Sequence, residues 1–212
     1  MHFGILLALA LTAAPLEGAK PILQNAQVDV WDGSWAEGQQ NAPWDKDTVL
    51  VFLTAGTLEV TGADGGSSVI SHKVGDAEFV PKGMMSQRRG VSKLPVRAIV
   101  IRLEGASPPA LVNSAGVRDA FDRPGIEKVF SNDEVTAWRY TCEFGKRTPL
   151  HFHARDFVVV YLDDCVLKSI TPDGKSVLNP NSFGFTKFSP RGRVHFEELV
   201  KGKASAVMVE LN

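Results

Sequence analysis

Short apolar runs bounded by glycine, proline and other turn residues recur along the chain after residue 20. The runs TVLVFLTAGTLEV, AEFVPKG, VRAIVIRL, FVVVYL and ASAVMVEL are rich in Val, Ile and Phe, which favour strands. No stretch after residue 20 shows a competing helical periodicity. The pattern therefore predicts a mostly β protein that is built from short strands.

The chain contains the same pattern twice. When 109 is subtracted from the later number, four turn residues of the second half coincide with turn residues of the first: Gly174 with Gly65, Gly184 with Gly75, Pro190 with Pro81 and Gly192 with Gly83. An upstream motif, Asn-x2-Val-x2-Trp, begins at Asn25 and again at Asn132, so its offset is 107 and a length difference of two residues lies between. This duplication indicates two repeats of one structural unit. We predict a first barrel over residues 20–105, a linker over 106–126 and a second barrel over 127–212.

Three of the five histidines lie in the second repeat at spacings that favour a metal site. His151 and His153 are two residues apart, and residues i and i+2 of a strand share one face. A later strand, which follows a turn rich in proline and glycine, can bring His195 to the same centre. Neutral imidazoles that converge in this way bind transition metals such as Fe, Mn, Ni, Zn or Cu. We predict that His151, His153 and His195 hold one divalent transition metal.

These spacings resemble the two motifs of the cupin superfamily, G-x5-H-x-H-x3,4-E and G-x5-P-x-G-x2-H-x3-N. In this chain the first motif begins at Gly145 and the second at Gly184. Leu199 stands where the second motif has its Asn. The resemblance implies an all-β fold of two tandem cupin barrels (double-stranded β-helix or jelly-roll), and over most of residues 127–212 it extends to small exported bacterial cupins.

The acidic fourth ligand of that family has no direct counterpart here. Its positions are taken by Phe157 and Val158. Asp156 lies one residue earlier and points to the opposite face of a regular strand, although a bulge can re-aim it. We therefore expect a three-histidine site with open coordination positions, and we keep Asp156 as an alternative ligand. Phe157 has the parity of His151, so it is predicted to form an apolar wall of the site.

The first repeat has no equivalent ligands. Ala42, Trp44, Thr48 and Ser86 stand at the positions of 151, 153, 157 and 195. His72 precedes the Gly75 turn, and we expect it on the surface or partly buried. The first barrel is therefore predicted to lack a metal and to pack against its partner, close the mouth of the pocket or hold a second ligand.

Three neutral imidazoles leave a divalent metal with its full positive charge, which favours a small anionic or carbonyl substrate. In having three histidine ligands, this cupin-like site resembles those of iron enzymes that oxidise thiols or cleave diketones. The resemblance therefore implies a three-histidine oxygenase of the Fe(II) type. The main alternative is a non-catalytic ligand-binding or structural protein with two cupin barrels, and a metal-dependent isomerase or lyase is the third.

Candidate acids or bases near the metal are Tyr161, Glu197 and Glu198. Tyr161 has a second interpretation as a filler of the barrel interior. Both glutamates are expected to face solvent, so the sequence does not single out one catalytic residue.

The first nineteen residues, MHFGILLALALTAAPLEGA, have an apolar core followed by small residues, which is typical of a secretory signal. We therefore predict export to the periplasm or the medium. The alternative is an N-terminal helix that covers a barrel face. Because this segment precedes both repeats, we expect it to be dispensable for folding.

The net charge of −1 and the scattered Lys and Arg argue against a nucleic-acid partner, which requires concentrated positive charge. Arg88 and Arg89, in the densest basic group, are expected at a solvated edge. No membrane association is expected once the leader is removed. The expected partners are a small-molecule ligand and a second copy of the chain in a homodimer. Cys142 and Cys165 are predicted to be buried free thiols.

Overall fold

The structure is a computed structural model that describes residues 14–62, 64–83, 87–114 and 116–212. Over these residues the chain forms strands joined by turns, and it contains no helix. Within the same residues there is accordingly no helical segment with the length and apolar character needed to cross a membrane.

The first repeat has eight strands among the described residues: β1 Lys20–Gln24, β2 Val28–Trp35, β3 Thr48–Phe52, β4 Gly56–Thr61, β5 Ser67–His72, β6 Ala77–Val80, β7 Gln87–Gly90 and β8 Val96–Leu103. The second repeat and the segment before it have ten: β9 Arg118–Asp119, β10 Ile126–Ser131, β11 Val135–Cys142, β12 His151–Phe152, β13 Phe157–Tyr161, β14 Cys165–Ile170, β15 Ser176–Asn181, β16 Thr186–Ser189, β17 Val194–Gly202 and β18 Ala204–Leu211.

The sheets of the two repeats have the same strand order. One sheet of the first repeat runs β1-β2-β8-β3-β6, and its counterpart in the second runs β10-β11-β18-β13-β16. The facing sheets are β5-β4-β7 and β15-β14-β17-β12-β9, so the second barrel carries two additional short strands, β9 and β12. The prediction of an all-β fold with two tandem barrels is confirmed.

The central strands β3 and β13 are buried on both faces, since every one of their residues is buried. Val49 and Val51 of β3 lie in one apolar cluster with Val158 and Val160 of β13, and this cluster joins the two barrels. The alternate residues of each strand point into its own barrel. The short continuous apolar runs in the sequence therefore mark strands that lie between two packed layers.

The two barrels contact each other reciprocally through matching residues of the two repeats. A Cβ atom at Gly75 would lie 2.8 Å from Leu162 Cδ1, and one at Gly184 would lie 3.2 Å from Leu53 Cδ1. Both glycines have positive φ angles, +83° and +78°, which disfavour a side chain. The repeated glycines are thus turns that allow a leucine of the other barrel to approach closely.

The predicted linker is partly a component of the second barrel. Strand β9 pairs in parallel with β12, and Ala120 and Phe121 lie in the core of the second barrel. Farther along, Arg123 is buried and donates through Nε to the carbonyl of Ala120 at 2.9 Å. Part of the predicted linker, from residue 118 onward, therefore packs with the second barrel.

The N-terminal leader lies mostly outside the described residues, but its last part packs on the first barrel. Leu16 is 2 % exposed and belongs to the core cluster of that barrel. Its Cδ2 would lie 3.4 Å from a Cβ at Gly33, a position that corresponds, at the offset of 107, to Tyr140 in the second barrel. Leu16 therefore fills interior space that Tyr140 fills in the other half. This packing argues that residues 14–19 contribute to stability, and a truncated protein tests whether residues 1–19 are dispensable for folding.

We expect deletion of residues 1–19 to lower the free energy of unfolding by about 2–5 kcal/mol relative to deletion of residues 1–13, because a buried leucine is lost. Leu16→Ala should reproduce most of this loss, and Glu17→Ala, at an exposed neighbouring side chain, should not. Urea denaturation measures all four variants. Equal stability of the two truncated proteins would contradict a packing role for Leu16. Export itself stays a prediction.

Candidate metal centre

Two short strand segments bring the histidines together. In the register of β12 with β17, His151 lies directly opposite His195. His153 follows β12, and its backbone carbonyl accepts a hydrogen bond from the amide of Gly192 at 2.8 Å. Gly192 has a φ of +88°, so the turn before β17 requires a glycine at this point.

The three imidazoles form a compact buried group. One ring nitrogen from each of His151, His153 and His195 lies within 4.8 Å of the others. The side chains are between 0 % and 3 % exposed. Three nitrogens that share a metal at about 2.1 Å would lie within about 4.2 Å of one another. The group therefore needs only a small contraction to bind one ion.

Hydrogen bonds leave ring nitrogens free to coordinate. His151 Nδ1 lies 2.8 Å from the carbonyl oxygen of Pro149, so Nδ1 carries the proton and Nε2 has a lone pair. That Nε2 is buried without a hydrogen-bond partner. A buried nitrogen with an unused lone pair is costly unless something binds it. The donor set thus fits a divalent transition metal.

The hydrogen bonds of His195 also identify a partner that can orient it. Its Nδ1 lies 2.7 Å from Ser169 Oγ and 3.2 Å from Arg193 Nη2, and its Nε2 lies 3.2 Å from His153 Nε2. Because Arg193 only donates, Nδ1 accepts here and the proton lies on Nε2. Coordination through Nε2 would move the proton to Nδ1, where the Ser169 hydroxyl can accept it.

The histidines are neutral near pH 7. Burial, followed by the charge of Arg123, lowers the pKa of His151 to about 4. Burial also lowers the pKa of His195 to about 3 and holds that of His153 well below its ordinary value. A neutral imidazole is the form that binds a metal.

The pKa values predict how the stability of the metal-free protein depends on pH. Between pH 6.5 and about 3 the unfolded histidines bind protons that the folded ones do not, so the free energy of unfolding should fall as the pH is lowered through this window. Each histidine should contribute up to about 1.4 kcal/mol per pH unit. Urea denaturation across this range should give a shallower slope for His151→Ala/His153→Ala. An unchanged slope would mean that these imidazoles are already protonated in the folded protein.

Glu197 does not face solvent as expected. Its side chain is 14 % exposed, its Oε2 accepts a hydrogen bond from Tyr140 Oη at 3.1 Å, and Arg123 Nη2 lies 3.6 Å away. Burial alone would raise the pKa of Glu197, but His195 and Arg123 lower it overall. Glu197 is therefore an ionised carboxylate inside the barrel, in the same strand as His195 and two residues after it.

The other candidate residues are distributed as follows. Phe157 is buried and its ring stacks on His153, with centroids 4.7 Å apart. Tyr161 lines a small cavity beside the histidines, and burial raises the pKa of its hydroxyl above the ordinary range.

The two remaining candidates are directed away from the histidines. Glu198 lies on the outer face, 3.7 Å from Arg147. The carboxylate of Asp156 accepts hydrogen bonds from the Arg191 amide at 2.7 Å and Gln27 Nε2 at 3.1 Å, so it is engaged away from the histidines.

Beside the histidines lies a cavity of about 20 Å³, which is enough for a metal ion or a water molecule. Lys187 and Arg193 supply positive charge to its lining, and Asn179 and Ser189 supply neutral polar groups. Among these residues, Arg193 was detectable from the sequence by strand parity, because it lies two residues before His195. Lys187 has no such signal, because its strand, Thr186–Ser189, is not one of the apolar runs.

The segment that corresponds to the histidine segment is shorter in the first barrel. Asn41 and Thr148 match at the offset of 107, since each accepts a hydrogen bond through its side-chain oxygen from the amide of the facing strand. Trp44 and His153 match at 109, since their carbonyls accept from Gly83 and Gly192. The two additional residues of the second repeat thus fall in the histidine segment itself. Ser86, the counterpart of His195, lies outside the described residues.

Two polar side chains of the first barrel, Arg88 and His72, are more deeply buried than the sequence predicts. Arg88 is buried, contrary to the expected solvated edge, and its Nη2 lies 2.8 Å from Glu78 Oε1. His72 is 7 % exposed and its ring stacks on Phe52, with centroids 3.7 Å apart. An ion pair and aromatic rings therefore occupy this interior.

Both cysteines are free, as predicted. Cys165 is buried, whereas Cys142 is partly exposed. Burial raises the pKa of each thiol, so neither is a reactive thiolate at neutral pH.

No family model matches the sequence, and no curated protein matches it. Solved structures do share its fold. AerE from Microcystis aeruginosa is 12 % identical, with a TM-score of 0.65 over 92 % of this chain and 97 % of its own. A cupin 2 conserved barrel domain protein from Leptotrichia buccalis is 13 % identical, with a TM-score of 0.57 over 95 % and 92 %. Salicylate 1,2-dioxygenase from Pseudaminobacter salicylatoxidans is 9 % identical, with a TM-score of 0.63 over 91 % and 75 %. At these identities the likeness concerns the fold.

Proposed function

The chain has the two-barrel fold of the cupin superfamily, and on that premise we propose that its second barrel is a metal-dependent enzyme site. His151, His153 and His195 would hold one divalent transition metal. The observation that carries the proposal is the convergence of three buried, neutral imidazoles, with an unused lone pair on His151 Nε2. An unused buried nitrogen alone does not mark a metal site, since His72 Nε2 in the first barrel also has no partner; what distinguishes the second barrel is that three buried imidazoles converge on one point.

We propose that the reaction is an oxygenation of a small anionic or carbonyl substrate. A bound Fe(II) would supply open coordination positions for substrate and O₂ and would polarise the substrate oxygen. Phe157 and Tyr161 would exclude water from one side, and Lys187 and Arg193 would attract negative charge. The likeness to a salicylate 1,2-dioxygenase supports this class of reaction through the fold alone.

A second candidate is a ligand-binding protein without catalysis. It is favoured by the small cavity of about 20 Å³, which accommodates an ion or a water molecule but not a metal and a substrate together unless side chains move. The engagement of Glu197 with Tyr140 and Arg123 points the same way, since that carboxylate is already satisfied.

The two candidates differ in oxygen consumption. Protein that is reconstituted anaerobically with Fe(II) is mixed with air-saturated buffer and with small carboxylates, 1,3-diketones or thiols in turn. An enzyme of the proposed kind consumes O₂ with one of these classes, and the His151→Ala/His153→Ala variant does not. Calorimetric binding of a compound without any O₂ uptake would favour the ligand-binding protein.

A further inference from the structure

The duplication allows one pair of charged positions to be compared between the barrels. At the offset of 109, Glu78 of the first barrel corresponds to Lys187 of the second, and Arg88 corresponds to Glu197. The two pairs thus have opposite signs at matching places. The strands around the two pairs also correspond, so the contacts that each pair makes can be compared directly.

In the first barrel the pair is closed. Arg88 donates to Glu78 Oε1 through Nε at 3.1 Å, and its Nη2 lies 2.8 Å from the same oxygen. The guanidinium carbon lies 6.0 Å from the centre of the Trp44 ring. Each charge therefore has an opposite charge within the protein.

In the second barrel the pair is open. Glu197 is turned toward Tyr140 and Arg123, and among the described residues no carboxylate lies within 4.0 Å of Lys187 Nζ. The amine lies 5.6 Å from the centre of the Tyr161 ring, inside the lining of the cavity. Lys187 is partly buried, and this burial, together with the charge of Arg193, lowers the pKa of its amine.

Arg193 is a second cation without an acid. Its Nη1 donates to Ser189 Oγ at 2.9 Å and its Nη2 to His195 Nδ1 at 3.2 Å, and both of these acceptors are neutral. Lys187 and Arg193 repel each other across this partly buried cavity, and Glu197, which also lines it, is engaged with Tyr140 and Arg123 and compensates the two cations only in part. A small anion that enters the cavity would therefore gain attraction from both.

We infer that Lys187 is a specificity-determining residue that binds the carboxylate of a small substrate in the second barrel, assisted by the charge of Arg193. The inference rests on the proposed function and deepens it. A general preference for an anionic substrate becomes a specific contact between a carboxylate and the Lys187 amine. Because the cavity is small, we expect a compact carboxylate, such as one of two or three carbon atoms, and side chains that line the cavity must move to admit it.

Oxalate titrations by calorimetry test the inference. We expect Lys187→Met, which keeps the length of the side chain but not its charge, to weaken oxalate binding at least about tenfold. Lys187→Arg should keep most of the affinity because it keeps the cation. Lys168→Met is the matched control, since Lys168 lies on β14 between Leu167 and Ser169, which face the interior, and therefore on the outer side of that strand. It should bind oxalate like the unmodified protein.

The titrations are run on zinc-loaded and on metal-free protein, and the metal content of every sample is measured. Equal oxalate affinity in Lys187→Met and the unmodified protein, or no oxalate binding to either form, would overturn the role of Lys187. Phosphate bound as tightly as oxalate would overturn the assignment to a carboxylate. A chain that binds no metal refutes the proposed function alone, because loss of oxalate binding in Lys187→Met can still be measured on the metal-free form.

Discussion

Replacing both His151 and His153 with alanine should abolish metal binding by the chain. Purified without chelator and without a nickel column, the unmodified protein should contain about one divalent ion per chain, because a three-ligand site holds one ion. The double variant keeps only His195, and a single imidazole does not retain a metal through purification. Elemental analysis by mass spectrometry measures the content directly.

His72→Ala is the control for this experiment. His72 is a buried histidine of the first barrel that stacks on Phe52, so its loss removes an imidazole without touching the candidate site. The His72 variant should keep its ion. An ion that persists in the double variant, or that disappears in the His72 variant, would place the metal elsewhere or show that the loss reflects general unfolding. Ligand distances in a metal-bound crystal structure would then locate it.

Strand periodicity explains why so much of the site was predictable. His151 and His153 share a face because they are two residues apart, and the turn at Gly192 returns His195 to the same point. The same rule applies to Glu197, which lies two residues after His195 and points inward with it. The expectation that Glu197 faces solvent gave more weight to its charge than to its position, and a buried partner, Arg123, made the opposite outcome possible.

The remaining parts of the site and fold depend on contacts between segments that the sequence pattern does not connect. Arg123 lies in a stretch without strand periodicity, yet Ala120 and Phe121 beside it pack into the second barrel. Leu16 lies in a segment with the composition of a leader, yet it packs into the first barrel where Gly33 has no side chain. In both cases a local pattern was typical of one role, and tertiary packing assigned another.

Phe157→Glu should tighten metal binding about tenfold relative to Phe157→Gln, which corresponds to about 1.4 kcal/mol. The Phe157 ring stacks on His153, so a carboxylate at this position would lie beside the three imidazoles. It would add both a fourth ligand and a negative charge, whereas the amide of Gln has the same shape without the charge. Competition with a fluorescent chelator measures the two affinities.

The same substitution should weaken oxalate binding, because it fills an open coordination position and lowers the positive charge of the cavity. In the absence of metal, the Glu variant should be less stable than the Gln variant, since a carboxylate is then buried where Phe157 is only 3 % exposed. Zinc should therefore raise the melting temperature of the Glu variant more than that of the Gln variant. Equal metal affinities for the two variants would show that the side chain at 157 does not reach the metal. Phe157 would then be a core residue of the barrel, and water or substrate would be left to complete the coordination.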